Sequence, residues 1–228
     1  MTNKIDSTVV IQGRVDLGID NEILPYSVLI GPLSIGNGNC IGPHTTIGTP
    51  GQDTRDRHYD SSHSAISIGN GNIIREYTAI QKPRYRDLTS IGNDCYLMQS
   101  VHVPHDALIQ DDVVVTPMVA MGGLVEIMRG ANLGLSCSVH QYSIIGHYSI
   151  VAMGAVVTKN VRPFSRFVPG QPITLNEYAI QKFGFTEDFD EIRRYVLEDQ
   201  YPTAAKLRAI IDEFNFSHSQ SKRGLYHG

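Results

Sequence analysis

The chain has 228 residues, 41% of them hydrophobic, and a formal net charge of −4; it can bury a sizeable core, and it lacks the dense Lys/Arg stripe that a nucleic-acid partner requires. The opening MTNKIDSTVV has no apolar signal core and no run of 18 apolar residues occurs, so no membrane span is expected and the chain reads as cytoplasmic. Cys40, Cys95 and Cys137 are widely spaced and odd in number, which argues against a paired zinc or disulfide framework and for reduced packing cysteines.

Stepping by six from Ile5 lands on Ile11, Leu17, Ile23, Leu29, Ile35, Ile41 and Ile47, all aliphatic. Residues 49–67 break the phase with a polar stretch, the count returns at Ile68, Ile74 and Ile80, and residues 81–90 break it again. From Ile91 twelve successive stops reach Val157, and every one is apolar. Neither a helical period of 3.6 nor a two-residue alternation generates a repeat of six. The physical solution is a parallel β-helix with three short strands per coil, about 18 residues a turn and roughly seven coils, with one inward aliphatic residue per strand. Gly and Asn just after the aliphatic position are expected to supply the positive φ of the corners. The two polar interruptions are expected to loop out of the prism, as surface connections or as carriers of a site.

Past Pro163 the repeat stops. Thr186 is a plausible N-cap for a helix burying Phe189, Ile192 and Val196, and a second helix carries Leu207, Ile210, Ile211 and Phe214. The expected division is a β-helix over 1–172, with insertions at 49–67 and 81–90, followed by a helical region over 173–228.

With 18 residues per coil, His105, Gly123 and Gln141 share a column, and Pro104, Gly122 and His140 share the next. The paired glycines are expected to leave a gap between polar groups. A neutral imidazole can take a proton from a hydroxyl or amine, and an adjacent carboxylate, Asp106, can hold its tautomer. A glycine N–H can meet a developing oxyanion. Together these parts suit acyl transfer, with His102 beside them. Metal binding is a competing reading, because a few β-helix proteins of the γ-carbonic-anhydrase kind hold a metal. Two ligands of one ion must lie within about 4 Å, whereas His105 and His140 are two coils apart. A catalytically silent scaffold is the remaining alternative.

The sequence resembles the UDP-N-acetylglucosamine acyltransferases of lipid A synthesis, within the larger group of hexapeptide-repeat acyltransferases. The resemblance runs through GQD (51–53), IRE (74–76), VHVPHDA (101–107), VHQYSIIG (139–146), the Asn176 to Gly184–Phe185 spacing and RGL (223–225). It implies a left-handed winding and a homotrimer with active sites between chains. It implies His105 as general base, Asp106 as its partner and Gly123 as oxyanion donor. Gln52, Asp53, His102, His140 and Gln141 would line the sugar and carrier groove, Asn176, Lys182 and Arg223 would approach the nucleotide, and Met153 would shorten an acyl tunnel. The cosubstrate would be acyl carrier protein or coenzyme A in thioester form, with no tightly bound cofactor and no metal. Arg193, Arg194, Lys206 and Arg208 could meet an acidic carrier protein. Gln81, Leu124, Tyr178, Lys182 and Phe183 depart from the family pattern, which opens the acceptor to another nucleotide sugar or to an amine, as in acetyl-CoA-dependent amino-sugar N-acetyltransferases.

Overall fold

A computed structural model describes residues 2–56 and 58–227. The inward aliphatic positions stack into three sheets. The first contains ten strands, nine of them parallel from Lys4–Ile5 to Ser165–Phe167; the second contains eight, from Val10–Gln12 to Val156–Val157, and the third seven, from Val15–Leu17 to Ile144–Ile145. As far as Ser138–Val139 each strand pairs with the strand three places later, and Ile150–Val151 then pairs with Ser165–Phe167, two places later, so the chain winds through seven complete coils and part of an eighth. Register in the uninterrupted stretch is 18 residues, as in Leu97↔Val115↔Leu133↔Val151. Leu29, Ile41, Ile74, Ile80, Leu97, Val115, Ile127 and Leu133 are inaccessible to solvent. Burying each such side chain contributes about 1.5–3 kcal/mol, and the columns sum that gain along the axis.

The interruptions keep the register instead of losing it. Ile35 pairs with Ile68, 33 residues on, and Ile68 with Ile91, 23 on. The excised loops are shorter than expected from the sequence, because the strands Ala65–Ile68 and Leu88–Ile91 recruit their last residues, leaving 50–64 and 82–87 outside the sheets. The two four-residue strands pair along their whole length, so ladder hydrogen bonding extends beyond the hydrophobic stop that marked the phase.

The glycines after the aliphatic positions serve a different purpose from the one expected. Positive φ falls three residues past the aliphatic, and there the occupants are mostly not glycine: His44, Asp94, Ser100, Asp106, Leu124 and Tyr142 all have φ between 54° and 66°. Gly36, Gly69, Gly92 and Gly122 are required by close approach. A Cβ on Gly92 would sit 2.4 Å from Asp111 Oδ1 and 2.7 Å from its backbone N. Side-chain ladders run up the same corner. Asn72 accepts from the Cys95 N–H at 2.8 Å and donates to the Gly92 carbonyl at 2.9 Å, and Asn39 repeats the pattern one coil below.

At the C-terminal end Thr174–Leu175 returns antiparallel to Ser165–Phe167. Three helices follow: α1 (Glu177–Lys182), α2 (Phe189–Glu198) and α3 (Ala205–Gln220). Thr186 begins a short 3-10 turn and does not cap α2, which starts at Phe189 after Asp188 with no side-chain cap. The short α1 carries too little periodicity to be legible; Asn176 caps it by accepting from the Ala179 N–H. Ile192, Leu207 and Ile211 join the same continuous core as the last coils, through Phe164, Phe167 and Phe185. No described helix is long and apolar enough to cross a membrane.

Candidate active site

The triangular coil has three corners. Ser100 and Met118 mark the one between the first and second sheets, Asp106, Leu124 and Tyr142 the one between the second and third, and Asp112, Gly130 and Tyr148 the last. His105 sits at the second corner. The expected column forms there: the Leu124 N–H bonds the His105 carbonyl and the Tyr142 N–H bonds the Gly123 carbonyl, which stacks residues 105, 123 and 141.

His105 Nδ1 lies 2.6 Å from Asp106 Oδ2, with Asp106 fully buried. The other Asp106 oxygen accepts three successive main-chain N–H groups, from Arg84 at 3.0 Å, Tyr85 at 2.8 Å and Arg86 at 2.6 Å. Such a concave array of amides matches an anion. Nδ1 therefore carries the hydrogen, and Nε2 is the ring atom left with a lone pair.

The Gly122–Gly123 pair does not open an empty slot. A Cβ on Gly122 would meet the Gln141 backbone N at 2.5 Å, and a Cβ on Gly123 would meet His105 Cε1 at 2.2 Å and Nε2 at 2.4 Å. The glycines let the next coil and the imidazole ring close in. Among the described residues the Gly123 N–H has no hydrogen-bond partner, so an unused donor lies on the residue packed against the Nε2 edge of the ring.

The first loop folds back over this corner. Asp53 Oδ1 is 3.9 Å from His105 Nε2, while Oδ2 accepts from Arg84 and from the Tyr85 hydroxyl, each at 2.8 Å. Gly51 permits the approach, since a Cβ there would fall 2.9 Å from His105 Cβ. Gln52 is exposed beside it. The buried Lys82 anchors the loop, donating to the carbonyls of Gly31 at 2.6 Å and Ser61 at 3.3 Å. Sequence reasoning missed Arg84, Tyr85 and Arg86. Their contribution runs largely through main-chain N–H groups, which leave no signature in residue type.

Of the other expected residues, His102 projects from the second sheet in register with Ala120, its buried Nε2 without a hydrogen-bond partner among the described residues. Burial pushes its pKa down from the ordinary histidine value, so it is neutral near pH 7. His140 and Gln141 lie at the surface, and Arg223 from the C-terminal tail bridges them: its Nε donates to the Gln141 carbonyl at 2.8 Å and a terminal nitrogen lies 2.6 Å from His140 Nδ1. Arg223 thus joins the His105 corner, whereas Asn176 and Lys182 do not. Asn176 is buried and donates to the Tyr148 carbonyl at the third corner. Lys182 is exposed, its Nζ 5.0 Å from the Phe183 ring centroid. Phe183 packs on Tyr148 at 4.8 Å, an aromatic cluster that a guanidinium at this position would disrupt. Met153 is 75% exposed near the first corner, in a largely apolar groove of about 560 Å³ with Met98, Pro117, Leu135 and Val168. One chain therefore splits the expected site over three corners. Among the described residues no three His, Cys, Asp or Glu side chains converge to hold a metal ion.

With that geometry in place, comparison with known proteins gives one consistent direction. The likeness is to UDP-N-acetylglucosamine acyltransferases. The chain is 35% identical over 164 residues to the acyl-[acyl-carrier-protein]–UDP-N-acetylglucosamine O-acyltransferase of Gloeothece citriformis, covering 70% of this chain and 58% of that protein. With the Synechocystis enzyme of the same name the figures are 32% over 172 residues, 73% and 61%. The chain thus spans about three fifths of the length of these relatives. Solved structures share the fold: the Francisella novicida UDP-N-acetylglucosamine acyltransferase aligns with a TM-score of 0.79 at 24% identity, covering 99% of this chain and 92% of that one. The Arabidopsis acyltransferase gives 0.74 at 20%, with 98% of both chains covered. No protein-family model matches. The resemblance drawn from the motifs is borne out by these relatives.

Proposed function

We propose that this chain is an acyltransferase that moves an acyl group from a thioester carrier to a hydroxyl of a nucleotide-linked sugar of the UDP-N-acetylglucosamine kind. The observation that carries the reading is the contact of His105 Nδ1 with buried Asp106, with the free Gly123 N–H beside the ring. His105 Nε2 takes the proton of the acceptor hydroxyl as the oxygen attacks the thioester carbonyl. The Gly123 N–H stabilises the tetrahedral oxyanion, and the carrier thiol leaves with the proton returned from the imidazolium. No acyl-enzyme forms. Cys95 and Cys137 are buried and their thiols are pushed up to about 12, chiefly by burial, which makes them poor nucleophiles near neutral pH.

Asp53, Gln52, His102, His140 and Gln141 bind the acceptor and the carrier arm in this reading, with Asp53 facing Nε2 across a 3.9 Å gap. Lys182 binds the nucleotide from a neighbouring copy, since in one chain it occupies a different corner from His105, and Asn176, buried and capping α1, supports that segment through the Tyr148 carbonyl; Arg223 bounds the groove from the same chain. A homotrimer of left-handed prisms supplies that neighbour, and Met153 then closes an acyl groove against long chains. Residues 1–172 form the β-helical domain and 173–228 the helical one, which receives the carrier. Arg193 is within 3.0 Å of Glu198, and Lys206 holds Asp188, so Arg194 and Arg208 are the cations of the set freest to meet an acidic carrier. The chain works in the cytoplasm, with acyl carrier protein as the carrier and no tightly bound cofactor.

The test is a panel of acyl carrier protein and coenzyme A thioesters of graded length, offered with UDP-, dTDP- and GDP-linked sugars and read by mass spectrometry. O-acylated UDP-N-acetylglucosamine from a carrier-protein thioester is the expected product. N-acylation of an amino sugar from acetyl-CoA, or no transfer, refutes the assignment. Wild-type turnover in His105→Ala removes the base.

A further inference from the structure

We propose that Arg86 is a positioning residue that acts through Asp106: it holds the 84–86 loop so that three main-chain N–H groups fix the carboxylate and, through it, the tautomer of His105. This rests on His105 being the base. Arg86 touches the site three ways. Its own N–H gives the shortest of the three bonds to Asp106 Oδ1, at 2.6 Å; its guanidinium donates to the Asp106 carbonyl at 3.0 Å and to Glu126 Oε1 at 2.9 Å. Glu126 pairs in register with Leu108 on the coil carrying Asp106, so the side chain straps a loop from one coil to the body of the next.

Asp106 is held at every polar atom. Its N–H donates to buried Thr89 Oγ1 at 2.9 Å, its carbonyl takes Arg86, Oδ1 takes the three N–H groups, and Oδ2 faces His105 Nδ1. With Oδ1 saturated by N–H donors, the carboxylate meets the ring through Oδ2, and Nε2 keeps its lone pair toward the acceptor. If the loop loosens, Oδ1 rotates away from its donors, the Nδ1 contact lengthens, and the ring populates the tautomer with hydrogen on Nε2. That form cannot accept a proton from the substrate. Arg86 bears on the reaction through this chain of contacts without touching the acceptor.

Two readouts separate this from a merely structural role. In a double-mutant cycle Arg86→Met lowers kcat roughly tenfold with KM within about twofold, and Asp106→Asn lowers it by roughly 100-fold or more. In the Asp106→Asn background, Arg86→Met then costs less than about twofold, because the residue it acts through is already disabled. Arg86→Lys, which can replace one of the two side-chain bonds, recovers part of the loss. Independently of any substrate, 15N NMR of the His105 ring shows one tautomer in the wild-type protein and mixing of two in Arg86→Met. Glu126→Gln gives the same shift in milder form should Arg86→Met fold poorly. Additive losses in the cycle, a raised KM at unchanged kcat, or an unaltered ring spectrum in both variants each overturn the proposal. Wild-type turnover in His105→Ala refutes the base assignment separately, and the ring spectrum still reports whether Arg86 sets the tautomer.

Discussion

Gly123→Ala is the sharpest perturbation of this site. The new methyl carbon would start 2.2 Å from His105 Cε1 and 2.4 Å from Nε2. Ordinary van der Waals contact begins near 3.4 Å, so the imidazole must retreat by about 1.2 Å, a distance comparable to the whole tolerance of a catalytic hydrogen bond. The 2.6 Å contact with Asp106 Oδ2 stretches beyond bonding range, and the ring edge moves away from Gly123. The expected loss in kcat is roughly 100- to 1000-fold, about 3–4 kcal/mol of transition-state stabilisation. Gly123 does not have positive φ, so alanine fits the backbone and the melting temperature should fall by only a few degrees. Single-turnover acyl transfer, measured beside thermal unfolding, separates the two effects. Near-wild-type turnover in a folded Gly123→Ala protein would show that the reaction does not use the ring position seen here.

The other expectations bear on stability and selectivity. Asn72→Ala strips partners from the Cys95 N–H and the Gly92 carbonyl, and should destabilise by about 2–4 kcal/mol in denaturant unfolding, with loss under 1 kcal/mol arguing that water replaces the ladder. Burial pushes His147 down to about 4, against the partial pull of Glu213 on α3, whose carboxylate is 3.5 Å away. Because the unfolded chain takes up this proton near 6.5 and the folded chain does not until about 4, stability should fall by up to about 3 kcal/mol as pH drops through that window. His147→Gln should remove that component of the slope; identical pH profiles for the two proteins would discount it. Met153→Gly should move donor preference toward longer chains, gaining about 0.8 kcal/mol for each methylene newly buried, as read from relative kcat/KM across the thioester panel; an unchanged length profile would place the acyl chain elsewhere.

The hexad count alone determined the prism, its register and the vertical meeting of His105 with Gly123 and Gln141, because a stack of equal coils converts a sequence separation of 18 directly into contact. It could not place what leaves the stack. The loop residues Asp53, Arg84, Tyr85 and Arg86 reach the histidine through backbone paths that no periodicity encodes. The glycines illustrate the same divide: their positions were legible, but only packing revealed that Gly92 and Gly122 make room for the neighbouring coil, while left-handed φ falls on residues such as Asp106 and Leu124. Tertiary structure likewise decided that Arg223 shares a corner with Gln141 while Asn176 does not. A repeat fixes distance along its own axis. Which chain segments cover a given corner depends on loop closure and tail docking, whose energies are sums over contacts between distant residues and have no counterpart in local sequence.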